Sequence, residues 1–484
     1  MRNLWNIVVH DVGVDFANIW IGTLDRNLQK PGRLIIRVCD IKKNLINELS
    51  VEKNHWRRPF RHLKQRFYTL LKIENLEPNQ HYHLTFFAVN GEQECPLPMA
   101  NAEFDTLGRS LNDYTDGLNI AIGSCFAEQF DDGSVSHSYQ ALYKKQLAAL
   151  SPHLTFLMGD QVYLDVGIDS LHVNPSEIRE RIASDYAQHW SALHGIFQCG
   201  ATWFLADDHE FWNNYPFHSS LNPFLQALHF GSVRNIWRQT ARDGVNNIQN
   251  VKPVRFINIG RDLSFCLADF RTKRTAKKLL QSEYFEQILN WITQLTAPGV
   301  LVVSQPIFDE VGNDDMKLPN YQQYKELLKA IQHAQHDVLV LAGDLHIGRI
   351  ASFQFNKPGT LDEPGRTLHE VVASPLSNLN GPTSLAARTT CEKSRPDSFP
   401  PEPISGITTK TICYPERWSI SNEFKVADLR YFKDRTKEHF STLNFQKVKT
   451  GLEVSVRAWC VRDYNTKEGL PQCDFPEPVK FVLI

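Results

Sequence analysis

Two distant stretches, Leu154-Thr155-Phe156-Leu157-Met158-Gly159-Asp160 and Val338-Leu339-Val340-Leu341-Ala342-Gly343-Asp344, end an apolar strand-forming run on the same Gly-Asp pair. Glycine lets the backbone turn sharply where such a strand stops, and the turn then presents the carboxylate. Around these two points the pattern alternates. Strand-like runs at 119–122, 154–158, 300–304 and 338–341 are interleaved with helical periodicity at 138–150, 284–295 and 321–334. Alternation of this kind specifies a layered α/β fold. In open α/β sheets, ligands gather at the carboxyl ends of the strands. Cys125, Asp160, the Asp207-Asp208-His209 run and Asp344 all follow apolar segments directly, so they are expected to converge.

The first 107 residues read differently. Short strand-like runs at 7–10, 17–23, 33–39, 67–73, 81–90 and 102–106 are punctuated by Gln29-Lys30-Pro31-Gly32 and Glu77-Pro78-Asn79-Gln80. This spacing predicts a small all-β sandwich domain over 1–107. The stretch from Leu76 to Tyr82 is similar to the tyrosine-corner approach of a fibronectin type III-like module, and Phe104-Asp105-Thr106 to its last strand. The α/β unit is expected over 118–484. It is interrupted at about 376–425 by a Pro-, Ser- and Thr-rich surface passage, in which Trp418 is a candidate pocket contact.

Composition narrows the function classes. Of 484 residues 42 % are hydrophobic and 22 % charged, and the formal net charge is −2, without the basic excess of a nucleic-acid or anionic-membrane partner. No window has the roughly 18–20 apolar residues that span a bilayer. The N-terminal sequence has no apolar leader core, so a cytoplasmic protein is expected. The nine cysteines contain no C-x-x-C pair, and reduced, mostly buried thiols are expected.

The chemistry lies in four blocks. Asp207-Asp208-His209-Glu210 sets four ionisable groups in a row between apolar flanks. Adjacent carboxylates repel and resist burial, and a multivalent cation resolves both problems. A solvated acidic turn is the plainer reading of that run. Asp344 and His346 are two residues apart and face the same side in extended backbone, which makes half of a metal site. Asp160 alone reads as an N-cap or turn residue, and Tyr163 reaches it only if the loop turns helically. Cys125 alone reads as a buried, inert thiol; beside a bound cation it would ionise and act as a soft ligand.

In order, Gly123-Ser124-Cys125, Gly159-Asp160 with Tyr163, Asp207-Asp208-His209-Glu210 with Asn213-Asn214, and Gly343-Asp344 with His346 resemble the PhoD-like alkaline phosphatases and phosphodiesterases. That family is a branch of the calcineurin-like metallophosphoesterase superfamily. The likeness covers about 118–350, with a weaker continuation through Glu370–Asn378. It implies an α/β/β/α layered sandwich and a centre containing Fe3+ and Ca2+. Cys125 and Tyr163 would bind the ferric ion, and Asp160 would bridge the metals. Asp208, with Asp207 and one of Asn213 or Asn214 (Asn214 is preferred), would complete a site, and Asp344 and His346 would form the last block. His209, with Asp208, would act at the scissile phosphate while a metal-activated hydroxide attacks a phosphomonoester or phosphodiester. Phe126 departs from the family's usual Gln, and Asp165 from its common Glu. Arg179 and Arg181 are the candidates for contacting phosphate. The competing readings are a non-catalytic scaffold on the same fold and a metal hydrolase acting on a different bond.

Overall fold

A computed structural model describes residues 4–90, 93–144, 150–218, 223–309, 317–360, 363–379, 399–407, 409–413, 438–465, 469–474 and 477–484. Most of the 376–425 passage, including Trp418, lies outside these residues.

The described residues form a mixed α/β structure with 10-stranded, 7-stranded and 5-stranded sheets. The strands Leu118–Gly123, Leu154–Met158 and Ala201–Leu205 run parallel at the centre of the largest sheet. In the second sheet Leu263–Ala268, Gly299–Val302, Val338–Ala342 and Pro364–Val372 are also parallel. These strands are buried on both faces and mostly apolar, as parallel strands covered on two sides are. Alternate residues therefore serve different cores. Ile120, Phe156 and Trp203 share a core with Phe265, Val300 and Leu339 of the second sheet, and the rings of Phe156 and Phe265 lie 5.5 Å apart. The intervening Ala121, Leu157 and Phe204 face the helices Ser134–Lys144, Pro175–Ala192 and Gly231–Asn247. On the second sheet, Cys266, Leu301 and Val340 face Ser282–Thr293 and Gln322–Gln332.

Helix Pro175–Ala192 shows how the sequence sets these elements. Asn174 caps it by accepting a hydrogen bond from the Ser176 backbone N–H, and Pro175 occupies the first turn. Ile178, Ile182, Tyr186 and Trp190, each four residues on, make one buried stripe.

The N-terminal strands do not close on themselves. Asn6–Val12, Ala17–Thr23 and Phe67–Ile73 extend the 10-stranded sheet, with Val9 paired parallel to Ala201. Arg33–Asp40, Leu45–Glu52, His81–Asn90, Gln93–Glu94 and Ala100–Asp105 build the 5-stranded sheet that packs over them. The continuity has a physical reason. Val8 lies in the helix-side core and Val9 in the inter-sheet core, so this strand needs cover on both faces. Within the small sheet the Tyr82 hydroxyl accepts a hydrogen bond from the Glu77 N–H at 2.8 Å.

A buried ion pair ties the second sheet to the loop beyond Gly299–Val302. Arg349 and Glu370 are 1 % and 0 % exposed. The second Glu370 oxygen accepts the backbone N–H groups of Ile307 and Phe308 at 2.6 and 3.0 Å. Glu370→Ala would strand a buried guanidinium and is expected to cost about 3–5 kcal/mol of unfolding free energy. Chemical denaturation measures this, and a loss below about 1 kcal/mol would mean that Arg349 regains solvent.

Candidate metal centre

The carboxyl ends of both parallel sheets meet at one place, and glycine allows the approach. Gly159 has φ +97°, and a Cβ added there would lie 2.5 Å from the Asp207 Cβ. A Cβ on Gly343 would run into the Ser124 side chain and lie 2.8 Å from the Met158 carbonyl oxygen. The residues that follow adopt left-handed backbone: φ is +58° at Cys125, +56° at Asp160, +67° at Asp344 and +53° at His346. Such conformations are costly for residues with a side chain and persist where the surroundings enforce them. Here the Cys125 N–H donates to the Gly159 carbonyl at 3.2 Å, and the Phe126 N–H to that of Asp160 at 2.7 Å. The His346 N–H donates to Ser374 Oγ at 3.1 Å.

Asp160, Asp207, Asp208 and Asp344 each bring a carboxylate oxygen into a group whose members lie within 4.8 Å of one another. His209 joins Asp160 and Asp208 in an overlapping group of the same dimension. Cys125 Sγ is 3.4 Å from Asp160 Oδ2. The Tyr163 hydroxyl is 3.5 Å from His346 Nε2, and its ring lies 4.3 Å from that of His209. Two carboxylate oxygens, Asp207 Oδ2 and Asp208 Oδ1, are buried without a hydrogen-bond partner. Burial pushes Asp160 well above the ordinary carboxylate range, Asp207 up to about 6 and Asp344 up to about 7. Burial pushes Asp208 upward too, but Arg271 and His209 together hold it below the usual value. The Cys125 thiol is pushed up to about 12 by burial and by Asp344. Buried, mutually repelling oxygen donors with unsatisfied lone pairs fit a multivalent cation, which would favour the ionised form of each group.

Other groups hold this set in place, and several carry no local sequence signal. Glu210, fully buried, accepts the backbone N–H groups of Asp160, Gln161 and Asp207 at 3.0, 2.7 and 2.8 Å. It thereby joins two strand ends. Arg271 Nε donates to Asp207 Oδ1 at 2.5 Å, and Ser304 Oγ donates to the same oxygen at 3.0 Å. Arg274 donates to Gln305 Oε1 at 2.6 Å, and Gln305 donates to Asp344 Oδ2 at 3.2 Å. Both arginines follow the strand Leu263–Ala268 in Asp269-Phe270-Arg271-Thr272-Lys273-Arg274, a strand end the same rule would have marked. Asp165 Oδ1 is 2.7 Å from His209 Nδ1, and Asn378 Oδ1 is 2.8 Å from His346 Nδ1.

The backbones of Asn213 and Asn214 and the side chain of Arg181 make contacts of their own. The Asn214 N–H donates to Asp208 Oδ2, and the Asn213 N–H to Asp165 Oδ2, both at 2.7 Å, so their backbones shape the loop. Arg181 donates to the Leu164 carbonyl oxygen, pairs with Asp185 at 3.1 Å and lies 4.2 Å from the Trp237 ring. It is a packing residue. Arg179 is half-buried on the same helix.

With its paired sheets and acidic strand ends converging on one point, this chain shares its overall fold with two proteins of known structure. The structure of PhoD matches 99 % of this chain and 88 % of its own, with a TM-score of 0.61 and 15 % identity. The purple acid phosphatase PPD1 from yellow lupin (Lupinus luteus) seeds matches 99 % of this chain and 74 % of its own, with a TM-score of 0.50 and 11 % identity. At these identities the likeness is one of fold. No family model and no curated sequence matches the chain. Among the described residues, no helix is long and apolar enough to cross a membrane.

Gly159→Ala forces a side chain against Asp207 and is expected to cost about 2–4 kcal/mol. It should also release metal that survives gel filtration of the parent. Gly32→Ala, where an added Cβ meets nothing within 4 Å, is the control. Thermal melts and elemental analysis of both proteins check this. A Gly159→Ala protein with parental stability and metal content would contradict the packing argument.

Proposed function

We propose that this chain hydrolyses phosphoric esters, as a phosphomonoesterase, a phosphodiesterase or both, on a centre of several metal ions. The observation that carries this reading is the group of four carboxylates, three of them buried, gathered within 4.8 Å. The fold likeness to PhoD and to a purple acid phosphatase supports it. In this reading the paired sheets and their outer helices are the α/β/β/α sandwich of that superfamily. Residues 118–484 form the catalytic unit, and 1–107 a fibronectin type III-like sandwich that shares its edge.

Cys125 and Tyr163, a soft thiolate and a phenolate, suit Fe3+. Asp160, Asp207, Asp208, Asp344, His346 and the Asn214 amide would hold the other ions, their oxygen-rich set suiting Ca2+. Asp207 would contribute through Oδ2, because Oδ1 is taken by Arg271 and Ser304. When bound, the metals neutralise the phosphoester's charge and lower the pKa of water. The protein's own groups do the rest. Asp165 occupies His209 Nδ1, so Nε2 is the nitrogen left to give a proton to the departing alkoxide. Asp208 sits beside His209 and stabilises its cationic form. Arg271 keeps Asp207 ionised from behind.

Activity on a chromogenic monoester and diester, assayed side by side, is expected to vanish on chelation and to return with added Fe3+ and Ca2+. Asp160→Asn should lower turnover about 100-fold or more. Full activity after chelation, or in Asp160→Asn, would overturn the reading. Asp165→Asn tests the proton donor separately: turnover should fall roughly 100-fold while bound metal stays constant. Unchanged turnover in that variant would remove His209 from the acid role.

A further inference from the structure

A second group of metal-type donors lies on the outer face of the 5-stranded sheet, apart from the four-carboxylate centre. His81 and His83 are two residues apart on the strand His81–Asn90, and Glu103 and Asp105 are two apart on its neighbour Ala100–Asp105. The pairing sets His81 opposite Asp105 and His83 opposite Glu103. Residues two apart share a face. The intervening Tyr82, Leu84 and Phe104 point into the core, so these four point away from it.

Distances single out three of them. Glu103 Oε2 lies 3.4 Å from His81 Nε2 and 3.4 Å from His83 Nδ1. At 3.4 Å the contact to His81 is long for an N–H···O hydrogen bond, and the buried Nε2 has no well-aligned partner. Two donors at ~2.0–2.1 Å from a tetrahedral ion stand about 3.4 Å apart. The other ring nitrogen of His81 lies 2.9 Å from Asp105 Oδ1. A carboxylate on the far nitrogen of a ligating histidine fixes its tautomer and turns its lone pair toward the ion.

We propose that His81, His83 and Glu103 bind a divalent transition metal of the zinc class, with Asp105 as the positioning residue for His81. The ion clips two adjacent strands of the small sheet and keeps its fourth position toward solvent. A cavity of about 480 Å3 lies beside the group, lined by His83 and Glu103 with Cys39, Lys144 and Gln198, while His81 and Asp105 line a neighbouring one. No residue of the four-carboxylate centre lines it. The rival occupant is a proton. Burial, the largest influence, lowers His81's proton affinity, but Asp105 and Glu103 outweigh it and hold the group at about 10. A proton on His81 needs nothing of His83, whereas a metal needs both rings.

The test uses the full chain with Zn2+ and, as a spectroscopic probe, Co2+. Metal-stripped parent should take up one more equivalent than His83→Gln or Glu103→Gln, with a visible tetrahedral Co2+ band that both variants lack. Asp105→Asn should keep the site and bind about 10–100-fold more weakly. Phosphoesterase activity should be the same in all four proteins. His83 is 40 % exposed, and melts without metal verify that its replacement folds. Equal stoichiometry and an equal Zn2+-induced thermal shift in parent and His83→Gln would overturn the proposal and leave His81 a protonated ion-pair partner.

Discussion

Repulsion among Asp160, Asp207, Asp208 and Asp344 is the constraint that the rest of this structure answers. Two unit charges 4 Å apart at an effective dielectric constant of 20 repel by about 4 kcal/mol. Several such pairs, largely withheld from water, would rival the whole stability of an ordinary domain. Part of the answer is built into the chain. Arg271, fully buried, neutralises Asp207 directly, and Arg274 acts on Asp344 through Gln305. What these leave is a set of oxygens with unused lone pairs. A protein that needed only stability would have replaced them with apolar side chains, since a buried ionic group seldom improves on good packing.

The same constraint explains the backbone. Cys125, Asp160, Asp344 and His346 all turn into the left-handed region where the two sheets' strand ends meet. Each turn costs on the order of 1 kcal/mol or more. Hydrogen bonds between the loops meet the cost: Cys125 to Gly159, Phe126 to Asp160, and Leu376 to Ser124. Glu210 acts similarly, its single carboxylate gathering N–H groups from the ends of two neighbouring strands.

These two layers of organisation differ in what the sequence discloses. Strand ends carrying Asp160, Asp208 and Asp344 are short-range patterns, an apolar run followed by a turn and a charge, and are legible in a single chain. Arg271 sits at such an end as well. Its meaning depends on Asp207, 64 residues away, a separation that no local pattern encodes. Glu210 lies inside a legible block, yet its role as a backbone clamp depends on Gln161 and Gln249 from other segments. The N-terminal strands show the same limit at the level of the fold. Their alternation is visible, but on one side Asn6–Val12 pairs with Ala201–Leu205 from far along the chain, a partnership set by burial on both its faces.

Two histidines at the centre show how distant partners assign chemistry to identical side chains. Asn378 Oδ1 also accepts the Leu379 N–H at 2.9 Å, which fixes the amide with its oxygen toward His346. His346 must then carry its proton on Nδ1 and offer the Nε2 lone pair, as a metal ligand requires. A neutral amide does nothing to favour imidazolium. Burial and the neighbouring His209 pull His346 down to about 4. His209 faces a carboxylate instead. Burial lowers its proton affinity, but Asp165, Asp208 and Asp160 overcome that and raise it well above the ordinary histidine value. Both rings lie in contact with Tyr163, so general environment does not separate them. The residue behind each ring does: an amide makes one a lone-pair donor, and a carboxylate makes the other a proton carrier.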